Sequence, residues 1–175
     1  MDGLQQDKKF IDLLKGINDE TPLLASLIME NPRPIGIFNE DGKHVFHNHA
    51  YTNLFKAIPD ENYSIFSDPI VKEKGILAGI RSSLKKGEIT EIPEMWYNTR
   101  EVDAMYPDNE VCIKTTAFPL LDKKGDLKYI LLRYEDITEK KHAHEELTRE
   151  REILKNFIEL NPYAIDIKDK DGHQV

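Results

Sequence analysis

The chain repeats part of its own sequence near its end, and this repeat constrains the fold more than any other feature. Residues 157–175 align without a gap on residues 27–45, a shift of 130 positions. Eight of the 19 aligned positions are identical, namely Ile28/Ile158, Asn31/Asn161, Pro32/Pro162, Ile35/Ile165, Ile37/Ile167, Asp41/Asp171, Gly42/Gly172 and Val45/Val175. Because such self-similarity marks a recurring structural unit, we interpret the chain as one complete module, a connector and the truncated start of a second copy.

The order of the elements inside this module indicates the fold class. Apolar spacing, caps and turn signals predict, in order, helices at 4–17 and 21–31, strands at 35–39 and 44–47, a helix from Asn48, a helix within 70–86, and strands at about 92–100, 110–121 and 128–135. Strands at both ends with helices between them are typical of an α+β fold. We therefore predict an antiparallel sheet that is covered by helices on one face.

Composition excludes several classes of function. The net charge of −8 argues against a nucleic-acid-binding face, which needs an excess of basic residues. The longest apolar stretches, such as Leu23 to Met29, are far shorter than the roughly twenty residues that span a bilayer. We therefore expect this part of the chain to be cytoplasmic, without membrane contact. The single cysteine, Cys112, excludes an intrachain disulfide and a cysteine metal cluster.

Several short motifs, taken in order, resemble the PAS sensor-domain family of microbial multidomain signalling proteins. They are Asn31-Pro32 before the first strand, Asp41-Gly42 in the first hairpin, Asn48-His-Ala-Tyr51 at a helix start, Pro119 with Asp122-Lys-Lys-Gly125 in a late hairpin, and the terminal Asp136-Ile-Thr138-Glu-Lys signature of the PAC motif. The resemblance covers about residues 24–139 and begins again at 156. It implies a five-stranded antiparallel sheet of order 2-1-5-4-3, whose inner face encloses a small pocket with the helices.

The resemblance also implies a function. In PAS domains a ligand or cofactor in the pocket, or a partner on the sheet, changes how a flanking helix reports to an output domain. We therefore expect a non-catalytic sensory and dimerisation module, placed upstream of a histidine kinase in a two-component system. The alternatives are an architectural spacer with a filled core and no ligand, or the input domain of a cyclic-dinucleotide enzyme.

The expected domain division follows from the repeat and the resemblance. It comprises an N-terminal helical extension (1–22), the PAS domain (23–138), a connector helix (139–156) and the truncated start of a second PAS repeat (157–175). In the connector, Leu147, Leu154 and Ile158 have the seven- and four-residue spacing of a weak coiled coil, which supports a homodimer. Ile165 and Ile167 lack the strands that they would pair with, so we expect them to be poorly ordered or to use a substitute surface.

The residues that familiar PAS cofactors require are missing from their usual places. No Asn-Cys-Arg-Phe-Leu-Gln-like stretch lies between residues 57 and 86, and the helix predicted within 70–86 has no histidine for a haem. Neither photochemical flavin nor haem is therefore expected. His44, His47 and His49 lie close together, but no carboxylate or thiolate is arranged around them to complete a metal site. We interpret them as surface or helix-start histidines and predict no metal.

Polar residues on the predicted strands indicate where a ligand would bind, because a buried polar group needs a hydrogen-bond partner. Trp96 and Asn98 on the third strand, Arg133 on the last strand and Tyr51 on the first core helix form the predicted ligand-binding set. An inward Arg133 would anchor a carboxylate or phosphate, so a small anion is one candidate ligand, and the identity of the ligand or cofactor is otherwise left open. The alternative is an outward Arg133 paired with an acid on the neighbouring strand.

The strand-to-helix junction is the predicted signal relay. Asp136, Thr138 and Glu139 form this junction, and Asp136 with Glu139 has the spacing of a capping box. A connector helix of about twenty residues would carry a shift over roughly 30 Å. No catalytic residue is predicted, because the sequence has neither a phosphate-binding glycine loop nor a nucleophile with a base and its orienting partner.

Overall fold

The structure is a computed structural model that describes residues 21–60, 62–160, 170, 171 and 173. The helix predicted at 4–17 lies outside these residues, as do Ile165 and Ile167. The chain divides after Ile137 into two units, which are described separately.

Eleven helices and strands lie within the described residues. They are α1 (Thr21–Met29), β1 (Ile35–Asn39), β2 (His44–His47), α2 (His49–Phe55), α3 (Pro69–Glu73), α4 (Leu77–Lys85), β3 (Thr90–Asn98), α5 (Thr99–Val102), β4 (Glu110–Leu121), β5 (Leu127–Asp136) and α6 (Thr138–Leu160).

The five strands form one antiparallel sheet of order β2-β1-β5-β4-β3, which confirms the predicted topology. The predicted turn between β1 and β2 contains Gly42 with a φ of +77°, a conformation that glycine adopts without steric cost. Strand β5 lies in the middle of the sheet, where Ile37 of β1 is opposite Leu131. At the end of β5, Asp136 is opposite Ile113 of β4.

The main core lies between one face of the sheet and helices α2 to α5, and we call this face the inner face. Phe38, Ala117 and Ile130 of the sheet are fully buried there against Leu84 of α4. The opposite, outer face has a second apolar cluster, in which Ala25 of α1 packs with Ile35, Ile37 and Phe46. Alternation along β1 therefore divides its side chains between two hydrophobic layers.

The buried side chain of Asn48 connects four segments around the first hairpin. Its Oδ1 accepts hydrogen bonds from the backbone N–H groups of Ile35 and Tyr51, over 3.0 Å each. Its Nδ2 donates to the carbonyl oxygens of Ile28, Asn31 and Arg33, at 3.2, 3.0 and 2.9 Å. The bond to Tyr51 caps α2, as the sequence predicted, and the others fasten the end of α1 and the start of β1.

Two segments differ in detail from the sequence-based prediction. The region 70–86 contains two helices instead of one, because Gly75 between them has a φ of +68° and interrupts the helical path. Strand β3 ends at Asn98, two residues earlier than expected. There the Asn98 side chain accepts a hydrogen bond from the N–H of Arg100 and caps α5.

The second unit contains the connector as α6, a helix of 23 residues. At about 1.5 Å per residue, it is roughly 35 Å long. None of its side chains is buried, and Leu147, Leu154 and Ile158 are 46%, 61% and 46% exposed. Among the described residues, no helix combines the length and the apolar character that crossing a bilayer requires.

Candidate functional site

The inner face of the sheet and helices α2 to α4 line a partly open cavity of about 50 Å³. Most of its lining is apolar, but six lining residues have polar groups: Tyr51, Tyr63, Asp68, Tyr97, Thr115 and Tyr134. A smaller space of about 20 Å³ lies beside it and shares Tyr51, Tyr63 and Tyr97. A concave, mainly apolar space with a few convergent polar groups is typical of a small-molecule site.

Asp68 is the centre of the polar group and is only 1% exposed. The hydroxyls of Tyr63 and Tyr97 donate to its Oδ2 over 2.8 and 2.7 Å. The backbone N–H groups of Ile70 and Val71 donate to its Oδ1 over 2.9 and 3.1 Å. All four partners are donors, which is the arrangement that an ionised carboxylate requires.

Local sequence explains why Asp68 lies at this position. It is the N-cap residue of α3, and Pro69 follows at the first helical position, where its missing N–H is not needed. The cap fixes one carboxylate oxygen on the helix backbone and leaves the other to the two tyrosines. One residue therefore starts α3 and also links α3 to β3 through Tyr97.

Three other hydroxyls in the cavity have no hydrogen-bond partner among the described residues: those of Tyr51, Thr115 and Tyr134. No described side-chain nitrogen or oxygen is both sealed from solvent and unpaired. Each of these hydroxyls therefore retains some accessible surface, and all three residues line the cavity. They are free to bond a small molecule or water there.

Burial keeps the tyrosine hydroxyls in their neutral form. Desolvation is the main cause that raises the pKa of Tyr51, Tyr63, Tyr97 and Tyr134 above the usual value. The negative charge of Asp68 raises the pKa of all four further, because a second negative charge nearby is unfavourable. All four hydroxyls therefore keep their protons at neutral pH.

A pair of histidines lies next to Tyr51. Nε2 of His44 is 3.0 Å from Nδ1 of His47, and the ring of His47 contacts that of Tyr51 with 5.3 Å between centroids. The prediction of surface or helix-start histidines was wrong for His47, which is 7% exposed because β2 turns it toward the core. It holds for His49, an exposed residue at the start of α2.

Burial, followed by the charge of a neighbouring histidine, lowers the pKa of both His44 and His47 from 6.5 to about 4. The two rings are therefore neutral at neutral pH. Within the described ranges, no group of three or more potential metal-ligating side chains occurs.

Of the predicted ligand-binding set, Tyr51 lines the cavity, whereas Trp96, Asn98 and Arg133 are absent from its lining. Trp96 lies opposite Cys112 of β4 and alternates with Met95 and Tyr97, whose side chains face the inner core. The Asn98 side chain caps α5 and donates to Asp108 Oδ1 over 2.7 Å.

Arg133 belongs to the outer face of β5. It is opposite Ile35, and its guanidinium lies 5.4 Å from the ring centroid of Phe118 on β4. Its Nη2 donates to Thr116 Oγ1 over 3.4 Å, and it forms no ion pair among the described residues. The inward neighbours of Arg133 on the same strand are Leu132 and Tyr134, both of which line the cavity.

The predicted relay residues occupy the end of β5 and the start of α6. Asp136 is exposed, whereas Ile137 is buried and its N–H donates to the carbonyl oxygen of Cys112 over 2.9 Å. Thr138 is the first residue of α6, and Glu139 lies in its first turn. Asp136 follows the cavity residue Tyr134 by two positions along the same strand.

Sequence reasoning missed Tyr63, Asp68, Tyr97, Thr115 and Tyr134 as site residues. Alternation grouped Tyr97 with Met95 and Tyr134 with Leu132, but it did not reveal which group faces inward. The Asp68-Pro69 pair is a recognisable helix-start signal. No signal in the sequence, however, places this cap beside Tyr97, which lies 29 positions further along the chain.

Comparison with known proteins finds similar structures but no similar sequence. No family model and no curated protein matches the sequence. An RNA-binding Light-Oxygen-Voltage receptor is 14% identical, with a TM-score of 0.57 over 83% of this chain and 39% of the receptor. A domain of the sensory box sensor histidine kinase/response regulator from Geobacter sulfurreducens is 18% identical, with a TM-score of 0.51 over 67% of this chain and 94% of that domain.

The PAS domain of an HTR-like protein from Haloarcula marismortui is 16% identical, with a TM-score of 0.50 over 70% of this chain and 96% of its own. At these identities the likeness is one of fold. Together with the strand order 2-1-5-4-3, it establishes that the chain has the PAS fold.

Proposed function

We propose that this chain is a non-catalytic sensory module whose inner-face cavity binds a small molecule. The observation that supports the proposal most strongly is the set of three hydroxyls, on Tyr51, Thr115 and Tyr134, that border the cavity without a partner among the described residues. Polar groups inside an apolar core are costly unless they are bonded. A small molecule that bonds them would offset this cost and stabilise the folded state.

In this proposal, strand β5 carries the signal. Tyr134 borders the cavity, and two residues later Asp136 begins the junction with α6 through Thr138 and Glu139. A bound molecule that fixes the Tyr134 hydroxyl would bias the end of β5, where Ile137 bonds to β4. The junction would then pass this bias to α6 and to a downstream signalling domain in the same chain.

The proposal also covers the downstream output domain and the oligomeric state of the chain. We infer a histidine kinase as the output, since one solved structure of similar fold is a domain of a sensor histidine kinase/response regulator. A cyclic-dinucleotide enzyme is the alternative output. The exposed apolar side chains of α6 support a homodimer through the connector. The division into extension, PAS domain (23–138), connector (139–156) and second repeat (157–175) belongs to the same proposal.

A thermal-shift screen with two forms of the chain tests whether the cavity binds a ligand. The first is the wild type, and the second is Thr115→Ile, which adds apolar volume to the cavity and retains a β-branched side chain suited to β4. We expect at least one small polar compound in a diverse library to raise the melting temperature of the wild type and not that of Thr115→Ile. Equal responses of both proteins to every compound would contradict a ligand site in this cavity.

The second candidate function is a spacer between repeated modules, and the small size of the cavity favours it. A site for one water needs about 10–15 Å³ of this kind of volume, so about 50 Å³ accommodates only a few waters. A spacer with a water-filled core requires no ligand. The same screen separates the two functions, because a spacer gives no compound whose effect depends on Thr115.

A further inference from the structure

The cavity has a negatively charged side chain, that of Asp68, and no positively charged side chain among the described residues that line it. Among the described residues that line the cavity, Asp68 is the only acidic one, and none is Lys, Arg or His. The carboxylate is 1% exposed and forms no ion pair among the described residues. The guanidinium of Arg81 lies 4.8 Å from the ring centroid of Phe66, a lining residue, but Arg81 itself does not line the cavity. A buried carboxylate without a cation is costly, although its four hydrogen bonds reduce the cost.

The hydrogen-bond directions determine what the cavity offers a ligand. Tyr63 and Tyr97 donate their protons to Asp68, so their remaining lone pairs can only accept. The hydroxyls of Tyr51, Thr115 and Tyr134 can donate or accept. A ligand rich in donors therefore matches all five hydroxyls. A small anion, the candidate ligand that an inward Arg133 would have anchored, would meet two acceptors and the negative charge of Asp68.

Four aromatic residues that contact one another line the same cavity. Tyr51, Phe55, Tyr97 and Tyr134 all line the cavity, and neighbouring rings lie 4.6–5.6 Å apart at interplanar angles of 49–82°. Aromatic faces attract ammonium groups through their quadrupoles, so a cation in the cavity would gain from any ring face that it contacts. The carboxylate, the accepting hydroxyls and the rings favour the same kind of ligand.

We propose that the cavity binds the ammonium group of a small amine. The inference rests on the proposed function and specifies the chemical class of its ligand. The ammonium group donates to the oxygens of Tyr63 and Tyr97, whose own protons are held by Asp68. It supplies the positive charge that the buried carboxylate lacks. The space of about 50 Å³ limits the amine to a few non-hydrogen atoms, as in methylamine or propylamine.

Isothermal titration of the full chain at pH 7 with three probes of similar size tests the charge preference. The probes are propylammonium chloride, propan-1-ol and sodium acetate. For a ligand of four non-hydrogen atoms we expect a Kd on the order of 0.1 mM or weaker. Propylammonium should bind at least about tenfold more tightly than either other probe, because only the cation is attracted by the Asp68 charge. Thr115→Ile should abolish the binding.

Two variants identify the groups responsible. Asp68→Asn removes the charge but keeps an oxygen for the cap of α3, and it should weaken propylammonium binding by at least about tenfold. Tyr97→Phe removes one accepting oxygen and keeps the ring, and it should weaken binding several-fold. Circular dichroism checks that both variants are folded. If Asp68→Asn fails to fold, Tyr97→Phe provides the test.

The results separate failure of the amine proposal from failure of the proposed function. If propan-1-ol or acetate binds as tightly as propylammonium and Thr115→Ile blocks that binding, the ligand is not an amine but the cavity remains a binding site. If propylammonium binds equally to the wild type, to Asp68→Asn and to Tyr97→Phe, the amine proposal is also overturned. If none of the three probes binds, the amine proposal fails, and the library screen then decides between sensor and spacer.

Discussion

At the residue scale, a few buried polar side chains hold the segments around the inner core in place. Asn48 bonds to five backbone groups from residues 28 to 51, and Asp68 bonds to two backbone N–H groups and two tyrosines. Both residues cap helices, so each fixes the direction of a helix start and also a tertiary contact. Losing such a side chain leaves several buried groups unpaired at once.

The variant Asn48→Ala tests this role. We expect it to lower the free energy of unfolding by about 2–4 kcal/mol, since it removes the cap of α2 and leaves the Ile35 N–H unpaired. Urea denaturation followed by circular dichroism measures the change. Asn53→Ala, an exposed position on the same helix, is the control and should change stability by less than about 0.5 kcal/mol. A loss below about 1 kcal/mol for Asn48→Ala would contradict the assigned role.

The histidine pair predicts a pH dependence of stability. In the folded chain the pKa of His44 and His47 is lowered to about 4, below the usual 6.5, so the unfolded chain binds more protons between these values. The contribution of the pair to stability is fully present above pH 6.5 and is lost as the pH falls toward 4. Urea midpoints should therefore decrease between pH 7 and pH 5.

The double variant His44→Gln/His47→Gln is the matched comparison for the histidine pair. It removes both titrating rings, so its urea midpoint should decrease less than that of the wild type between pH 7 and pH 5. This interval lies above the usual range in which exposed carboxylates titrate. Parallel midpoints for the two proteins over this interval would show that the histidines do not cause the dependence.

At the element scale, the turns restrict which substitutions the fold accepts. Gly42 and Gly75 both have positive φ, at +77° and +68°. A Cβ at Gly42 would lie 2.7 Å from Phe66 Cδ2 and 2.8 Å from Ile65 Cγ1, whereas a Cβ at Gly75 would meet nothing within 4 Å. A substitution at Gly75 therefore adds backbone strain alone, whereas a substitution at Gly42 adds both backbone strain and a steric clash.

The substitutions Gly42→Ala and Gly75→Ala measure the two effects. Gly75→Ala should cost about 1–2 kcal/mol of stability, which is the strain of a left-handed backbone. Gly42→Ala should cost about 2–5 kcal/mol, because the displacement of the 65–66 segment is added to that strain. Urea unfolding of both variants gives the difference. Equal losses would mean that the turn between β1 and β2 is not packed against residues 65 and 66.

The elements themselves were largely predictable from local signals. The Asp41-Gly42 turn, the helix start at Asn48-His-Ala-Tyr51 and the order of the PAS motifs together led to the correct strand order. The inward face of β3 and β5 was not predictable in the same way. Alternation divides a strand into two sets of side chains, and both sets of β5 are largely apolar, so the pattern did not show that Tyr134 faces inward instead of Arg133.

Strand β3 shows a second reason why the inward-facing side chains could not be predicted from the sequence. Its register shifts between Ile92 and Met95, so a strict alternation counted from Ile92 gives the wrong face further along the strand. The polar group around Asp68 combines residues that are far apart in the sequence; Asp68 and Tyr97, for example, are 29 positions apart. Such a cluster depends on the tertiary fold, which local sequence patterns do not specify.

At the scale of the whole molecule, the connector helix α6 has several apolar side chains that are not buried among the described residues. Leu147, Leu154 and Ile158 lie at seam positions of the proposed coiled coil and are substantially exposed. A partner helix in a homodimer would bury these side chains, each with a gain of about 1.5–3 kcal/mol on full burial. His144 and Arg151 at the other seam positions keep the association weak.

Sedimentation equilibrium of the full chain tests the homodimer. We expect a concentration-dependent dimer for the wild type, and at least a tenfold increase in its dissociation constant for Leu154→Glu, because the charge would be buried in the seam. Arg149→Glu, which lies on the opposite side of the heptad, is the control for introducing an acid into α6. A wild type that remains monomeric, or equal effects of the two variants, would contradict dimerisation through the connector.

Coupling between the cavity and the strand-to-helix junction is the central claim, and amide hydrogen exchange detected by NMR tests it most directly. The exchange rate of the Ile137 amide, which bonds to Cys112 of β4, is measured with and without a saturating compound from the thermal-shift screen. We predict that the compound changes this rate in the wild type and leaves it unchanged in Thr115→Ile. A compound that binds in the cavity of the wild type but leaves the exchange of residues 134–138 unaltered would contradict the claim.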